Sequence, residues 1–121
     1  MYSSERKTLI RGDILNIQYK KGVMELCVLS ALMQRDMYGY ELSIFISKEM
    51  DISDGTVYPI LRKLKSEGFV TTYLSEDSGG PPRKYYSITT SGKQKFGNES
   101  QQWLSFTMKI SKLIKGDSDH E

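Results

Sequence analysis

At Gly68 the hydrophobic pattern of this 121-residue chain changes period, and no other feature narrows the possible folds as far. Before it, Val57, Leu61 and Leu64 recur at four- and three-residue intervals, while Arg62, Lys63, Lys65 and Ser66 fall on the opposite side of the same helix. After it, Phe69–Leu74 and Lys84–Thr89 are rich in β-branched and aromatic residues, which fit a pleated surface. Between these runs stands Ser75-Glu76-Asp77-Ser78-Gly79-Gly80-Pro81-Pro82-Arg83, dense in turn formers. The pattern predicts a two-stranded hairpin with a mobile tip. Thr89 or Thr90 then caps a last helix, and the helical period returns as far as about Lys115.

Upstream of the third helix the chain reads as helical. Ile10, Ile14 and Ile17 give residues 6–18 a short amphipathic pattern, interrupted by Gly12 and Asp13. Val23–Met33 is apolar almost all round, as a central buried helix is. A second helix is expected from Tyr38 or Gly39 to Lys48, with Tyr38, Leu42, Phe45 and Ile46 on its core face and Glu41, Ser43 and Lys48 away from it. The third starts at a cap on Ser53 or Asp54 and stops at Gly68. Pro59 costs it one backbone bond near its start, so a bend rather than a break is expected there.

The last helix carries a second signal. Phe96, Trp103 and Ile110 are spaced by sevens, and Phe106 and Leu113 follow the last two by three. This is the a/d seam of a coiled coil, with Glu99 as a defect at the first d position and with Leu104, Met108 and Ile114 widening the apolar face. The expected fold class is therefore mainly α with a two-stranded β-wing: a winged helix-turn-helix followed by a C-terminal dimerisation helix. The divisions are an N-terminal extension over 1–19, partly helical; a DNA-binding domain over 20–89; a dimerisation helix over 90–115; and a disordered acidic tail over 116–121.

Charge points the same way. The net charge is only +2, but residues 23–52 sum to −3 while residues 53–95 sum to +3. A short helix that is basic outside and apolar inside fits the major groove of double-stranded DNA, with its early residues reaching base edges. On that reading the contacts come from Thr56, Tyr58, Pro59, Arg62 and Lys63 of the third helix, the hydroxyls bonding bases or phosphates and the cations neutralising phosphates. The wing adds Gly80, where backbone approaches closely, and then Arg83 and Lys84. In a dimer, two such helices sit about 34 Å apart, one turn of DNA. The alternative is a winged-helix module that binds a partner protein through the same surfaces, which salt dependence separates from phosphate binding.

Other classes fit poorly. The single histidine, His120, lies in the acidic tail, so no histidine-based triad or zinc site assembles in the core, and no cofactor is implied. Gly80–Lys84 lacks the spacing of a phosphate-binding loop, so an enzyme is not expected. One cysteine, Cys27, allows no internal disulfide, and its apolar setting reads as a small hydrophobe rather than a sensor thiol. No apolar run approaches the roughly 20 residues that span a bilayer, and Met1–Ile10 lacks a secretory pattern, so a cytoplasmic protein is expected.

Several strings also match a known family. Tyr38-Gly39-Tyr40-Glu41-Leu42, the stretch Gly55-Thr56-Val57-Tyr58-Pro59-Ile60-Leu61-Arg62-Lys63-Leu64, Gly68, the wing Gly80-Pro81-Pro82-Arg83-Lys84-Tyr85-Tyr86-Ser87-Ile88-Thr89, and Gly92 resemble the PadR signature. The resemblance spans residues 20–114 and is to the compact subgroup, whose last helix is short. It implies a homodimeric transcription regulator, usually a repressor on a pseudo-palindromic operator, dimerising through the last helix. Some compact relatives bind flat aromatic or cationic compounds between the two protomers with a tryptophan of that helix. The resemblance therefore makes Trp103 a candidate effector contact, against the plainer role of packing in the seam.

Overall fold

The computed structural model describes residues 22–76 and 79–116. The expected N-terminal extension, residues 77–78 before the Gly79-Gly80 tip, and the tail from 117 onward lie outside the described residues. Helix α1 covers residues 22–34. It is followed by β1 (Met37–Tyr38), α2 (Gly39–Met50), a 3-10 turn (Asp54–Thr56), α3 (Val57–Ser66), β2 (Val70–Ser75), β3 (Arg83–Ile88) and α4 (Thr90–Ile114).

The core forms where α1, α2 and α3 meet the inner face of the sheet. Met24, Val28, Leu29, Ala31 and Leu32 of α1 pack with Leu42 and Ile46 of α2, with Val57, Ile60, Leu61 and Leu64 of α3, and with Met37, Val70 and Tyr86 of the strands. Two details of α2 differ from its sequence pattern. Ser43 is fully buried, whereas Phe45 is 40% exposed. The serine goes inside at little cost because its Oγ donates to the Tyr40 carbonyl at 2.9 Å, and Ser47 Oγ donates to the Ser43 carbonyl at 2.6 Å.

The wing is part of a three-stranded antiparallel sheet in the order β1-β3-β2, not an isolated hairpin. The hairpin register runs from Val70↔Ile88 to Ser75↔Arg83, and Met37↔Tyr86 and Tyr38↔Tyr85 add the third strand. Two residues are too few for an alternating pattern. Met37 and Tyr38 become a strand because β3 would otherwise present an unpaired edge to them.

Pro59 lies in the first turn of α3, whose helical bonding starts only at Val57. Amide groups in a first turn have no intrahelical acceptor, so the bond that proline was expected to cost does not arise. The helix ends at Gly68, whose φ of +81° lies in the left-handed region, and the Phe69 amide donates to the Leu64 carbonyl at 2.9 Å.

Helix α4 starts on this same corner. Thr89 accepts the Gly92 amide at 3.1 Å, which makes it the N-cap. Thr89 and Ser91 hydroxyls donate to the Gly68 carbonyl at 2.7 and 3.0 Å. Gly92 is buried so tightly that a Cβ there would run into the Phe69 carbonyl oxygen. Only glycine allows this approach. Farther on, α4 leaves its own core: Phe96 packs against it, while Leu104, Phe106, Met108, Leu113 and Ile114 are exposed. Among the described residues no helix is long and apolar enough to cross a membrane.

Candidate nucleic-acid interface

Burying Val57, Ile60, Leu61 and Leu64 leaves α3 with a fixed outward side. Arg62 lies exposed on that side and Tyr58 is half-buried beside it. Strand β3 begins at the hairpin tip, which puts Arg83 and Lys84 at its outer end. Together with the start of α2 these elements enclose a groove of about 680 Å3, lined by Tyr38, Gly39, Tyr40, Tyr58, Arg62, Arg83, Lys84 and Tyr86. The lining holds three cations and no carboxylate, so its field is positive and suited to a phosphate chain.

The groove floor is closely fitted. A Cβ on Gly39 would meet Tyr58 Cε1 at 3.4 Å and Tyr86 Cε1 at 3.5 Å, so the start of α2 lies against that pair of rings. Burial pushes the Tyr86 phenol above its ordinary pKa, with Tyr58 adding to the rise and Arg62 opposing it. The Tyr86 hydroxyl therefore stays protonated at neutral pH and keeps its donor.

Of the residues expected at a DNA surface, Tyr58, Arg62, Arg83 and Lys84 meet in this groove. Thr56 is exposed just before α3, its hydroxyl 3.1 Å from Ser53 Oγ, and Pro59 and Gly80 are exposed on the helix and at the tip. Lys63 has a different environment. Its Nζ donates to Glu25 Oε2 at 2.5 Å and lies 3.8 Å from Glu67 Oε2. The hydrogen bond to Glu25 is the main cause of its raised pKa. Glu25 is buried on α1 and is also approached by Lys95 of α4, at 3.8 Å, which in turn holds Glu99 at 2.6 Å. A buried carboxylate needs such partners. Lys63 is thus held by Glu25 and absent from the groove lining, with its side chain still 43% exposed.

Tyr38, Gly39, Tyr40 and Tyr86 were not singled out from the sequence as contacts. The available signal was the glycine between two tyrosines at the start of α2. Tyr86 both packs in the core and lines the groove.

The seam residues lie along α4. Phe96 and Trp103 are half-buried, whereas Phe106, Ile110 and Leu113 are exposed. Glu99, the defect in the seam, is taken up by Lys95. Trp103 and Phe106 have ring centroids 6.0 Å apart, and with Val23 and Leu26 of α1 and Glu99 they line a second cavity of about 340 Å3. Cys27 is half-buried, and burial pushes its thiol above the usual range.

Residues 28–98 match the model of the transcriptional regulator PadR-like family. A PadR-like transcriptional regulator from Bacillus cereus strain ATCC 14579 is 36% identical with a TM-score of 0.76, over 82% of this chain and 98% of that one. A PadR family transcription regulator from Clostridium difficile R20291 is 30% identical with a TM-score of 0.67, over 77% and 98%. The negative transcriptional regulator PadR of Bacillus subtilis (strain 168) is 27% identical over 99 residues, which span 78% of this chain and 52% of that protein.

Proposed function

Because the chain belongs to the PadR-like family of transcriptional regulators, DNA-binding proteins and not enzymes, we propose that it is a repressor that binds a pseudo-palindromic operator as a homodimer. The observation that carries this reading is the groove between α3 and the wing, with Arg62, Arg83 and Lys84 in its lining and no opposing carboxylate. In this reading Tyr58 and Arg62 enter from α3, Thr56 and Pro59 flank them at its start, and Gly80, Arg83 and Lys84 close over the neighbouring backbone. The apolar length of α4, from Phe96 through Trp103, Phe106 and Ile110 to Leu113, meets the same helix of a second copy. The negative sign of regulation is supported by the name of the Bacillus subtilis relative.

A small aromatic effector fits the same scheme. Trp103 lines a cavity of about 340 Å3 between α1 and α4. It is the only tryptophan in the chain, so quenching of its fluorescence reports occupancy of that cavity directly.

The test is to select bound fragments of source DNA with the purified protein and titrate the best fragment across a salt series. Enrichment of a two-fold symmetric site, with log affinity falling steeply against log salt, is expected from released counterions. Binding that ignores salt and sequence overturns the reading and leaves the groove to a partner protein.

A further inference from the structure

The outer face of the sheet carries a row of aromatic rings that ends in the groove. Tyr73 and Tyr38 both pair with Tyr85, one from each side, so the three side chains stand on one face. Tyr73 stacks on Tyr85 with centroids 5.6 Å apart and planes 14° apart. Tyr38 meets Tyr85 edge to face at 5.7 Å and 66°. Beyond Tyr38, the Arg83 guanidinium carbon lies 4.4 Å from its ring centroid. At the opposite end Tyr73 Oη donates to Asp36 Oδ2 at 2.7 Å. The row therefore crosses all three strands, tied to the α1–β1 connection at one end and carrying a groove cation at the other.

We propose that Tyr38 is a positioning residue for the wing: its ring, backed by Tyr85 and Tyr73, holds the Arg83 guanidinium in the groove before DNA arrives. The proposal rests on the DNA-binding reading above. A free arginine side chain must surrender much rotamer freedom on binding, and that cost falls when the side chain is already held. A guanidinium resting its flat face on a ring still directs its five N–H groups outward in its plane, where phosphate oxygens approach. The grip is that of a cation on a π-face, for which the ring suffices and the Tyr38 hydroxyl is not required.

That difference between ring and hydroxyl sets the experiment. The affinity of the whole chain for its selected operator duplex is measured for Tyr38→Leu, Tyr38→Phe, Arg83→Ala and the Tyr38→Leu, Arg83→Ala pair, with thermal unfolding of each as a check on folding. Tyr38→Leu is expected to weaken binding about two- to fivefold, the range of a cation–π contact at an exposed site. Tyr38→Phe recovers most of that loss. In the Arg83→Ala background Tyr38→Leu adds nothing, because nothing is left to position. Tyr73→Phe, which removes only the hydroxyl bonded to Asp36, gives a smaller loss that also vanishes without Arg83, and it carries the test if the leucine variant fails to fold. Losses that multiply in the double variant overturn the proposal, as does a phenylalanine variant as weak as the leucine one. Absence of salt-dependent DNA binding by the unaltered chain removes both readings together, whereas multiplying losses in a chain that binds remove only this one.

Discussion

Helices α3 and α4 are written in the same style, apolar residues at helical spacing with lysines between them, yet they end in opposite situations. In α3, Val57, Leu61 and Leu64 have no exposed surface. In α4, Met108 is 72% and Leu113 79% exposed. The short helix is covered by α1, α2 and the sheet, whereas among the described residues the long one meets its own chain only over its first half, as far as the cavity at Trp103. An apolar face states that something must cover it and not what that cover is. The length of the run supplies the missing clue, because Phe96, Trp103 and Ile110 keep the spacing of seven well past the chain's own core, as in helices that pair with other helices.

The comparison can be broken at both ends. Leu61→Ala is expected to cost about 2–5 kcal/mol, the range for emptying a packed core site. Leu113→Ala, in chain dilute enough to be monomeric, should stay within about 0.5 kcal/mol. Urea unfolding of the two variants checks this, and equal losses would show that α4 is covered within its own chain after all.

Phe106→Glu tests the proposed cover directly. A carboxylate in an apolar seam must be desolvated without a partner, so the expected outcome is a variant that sediments as a monomer and a parent that sediments as the proposed dimer. An unchanged mass would move the interface off α4.

Effects at the groove should be smaller and of another kind. Arg83→Ala combined with Lys84→Ala removes charge without opening the core, so thermal stability should hold. The slope of log affinity against log salt should become shallower by about 2, close to 0.9 for each phosphate that is no longer neutralised. This flattening is expected on the operator and on unrelated duplexes alike, and an unaltered slope would place the phosphates elsewhere.

The smallest expected signal comes from Cys27. Its thiol is pushed up by burial, so the reactive thiolate forms only at higher pH than in an unfolded chain. Alkylation of the native protein at pH 7 should therefore be slower than alkylation in denaturant, and should rise as pH climbs past the usual thiol range. Equal rates at pH 7 would return the sensor role to consideration.

Much of this architecture is legible from residue patterns, and the places where it is not share a cause. The third helix, the hairpin and α4 follow from local periodicity and from Gly68 and Thr89, whose roles are set by near neighbours. Strand β1 is invisible because it exists only through pairing with β3, nearly 50 residues later. The inversion of Ser43 and Phe45 is hidden because a serine bonded to its own helix backbone no longer behaves as polar. The groove shows the same division. Arg62 and Lys63 are equivalent in sequence, but one helix step turns them about 100° apart, and Glu25, which holds Lys63 and not Arg62, lies 38 residues away. Tyr38 and Tyr86 enter the groove through the pairing of β1 with β3, so the glycine between Tyr38 and Tyr40 is the one local hint and nothing local marks Tyr86.

The buried carboxylate of Glu25 has one more consequence. Its two lysines come from different helices, Lys63 from the one that borders the groove and Lys95 from the one that would carry a second copy. That makes Glu25 the pivot of a pair of calipers. In the proposed dimer the arms are α4 and α3, and the gap between the two tips is set where the arms are pinned. Two half-sites at the right separation can be gripped with the pin intact. In such a dimer, a pair spaced half a turn of DNA farther apart would have to be reached by moving the arms, which would strain the ionic junction that α1, α3 and α4 share.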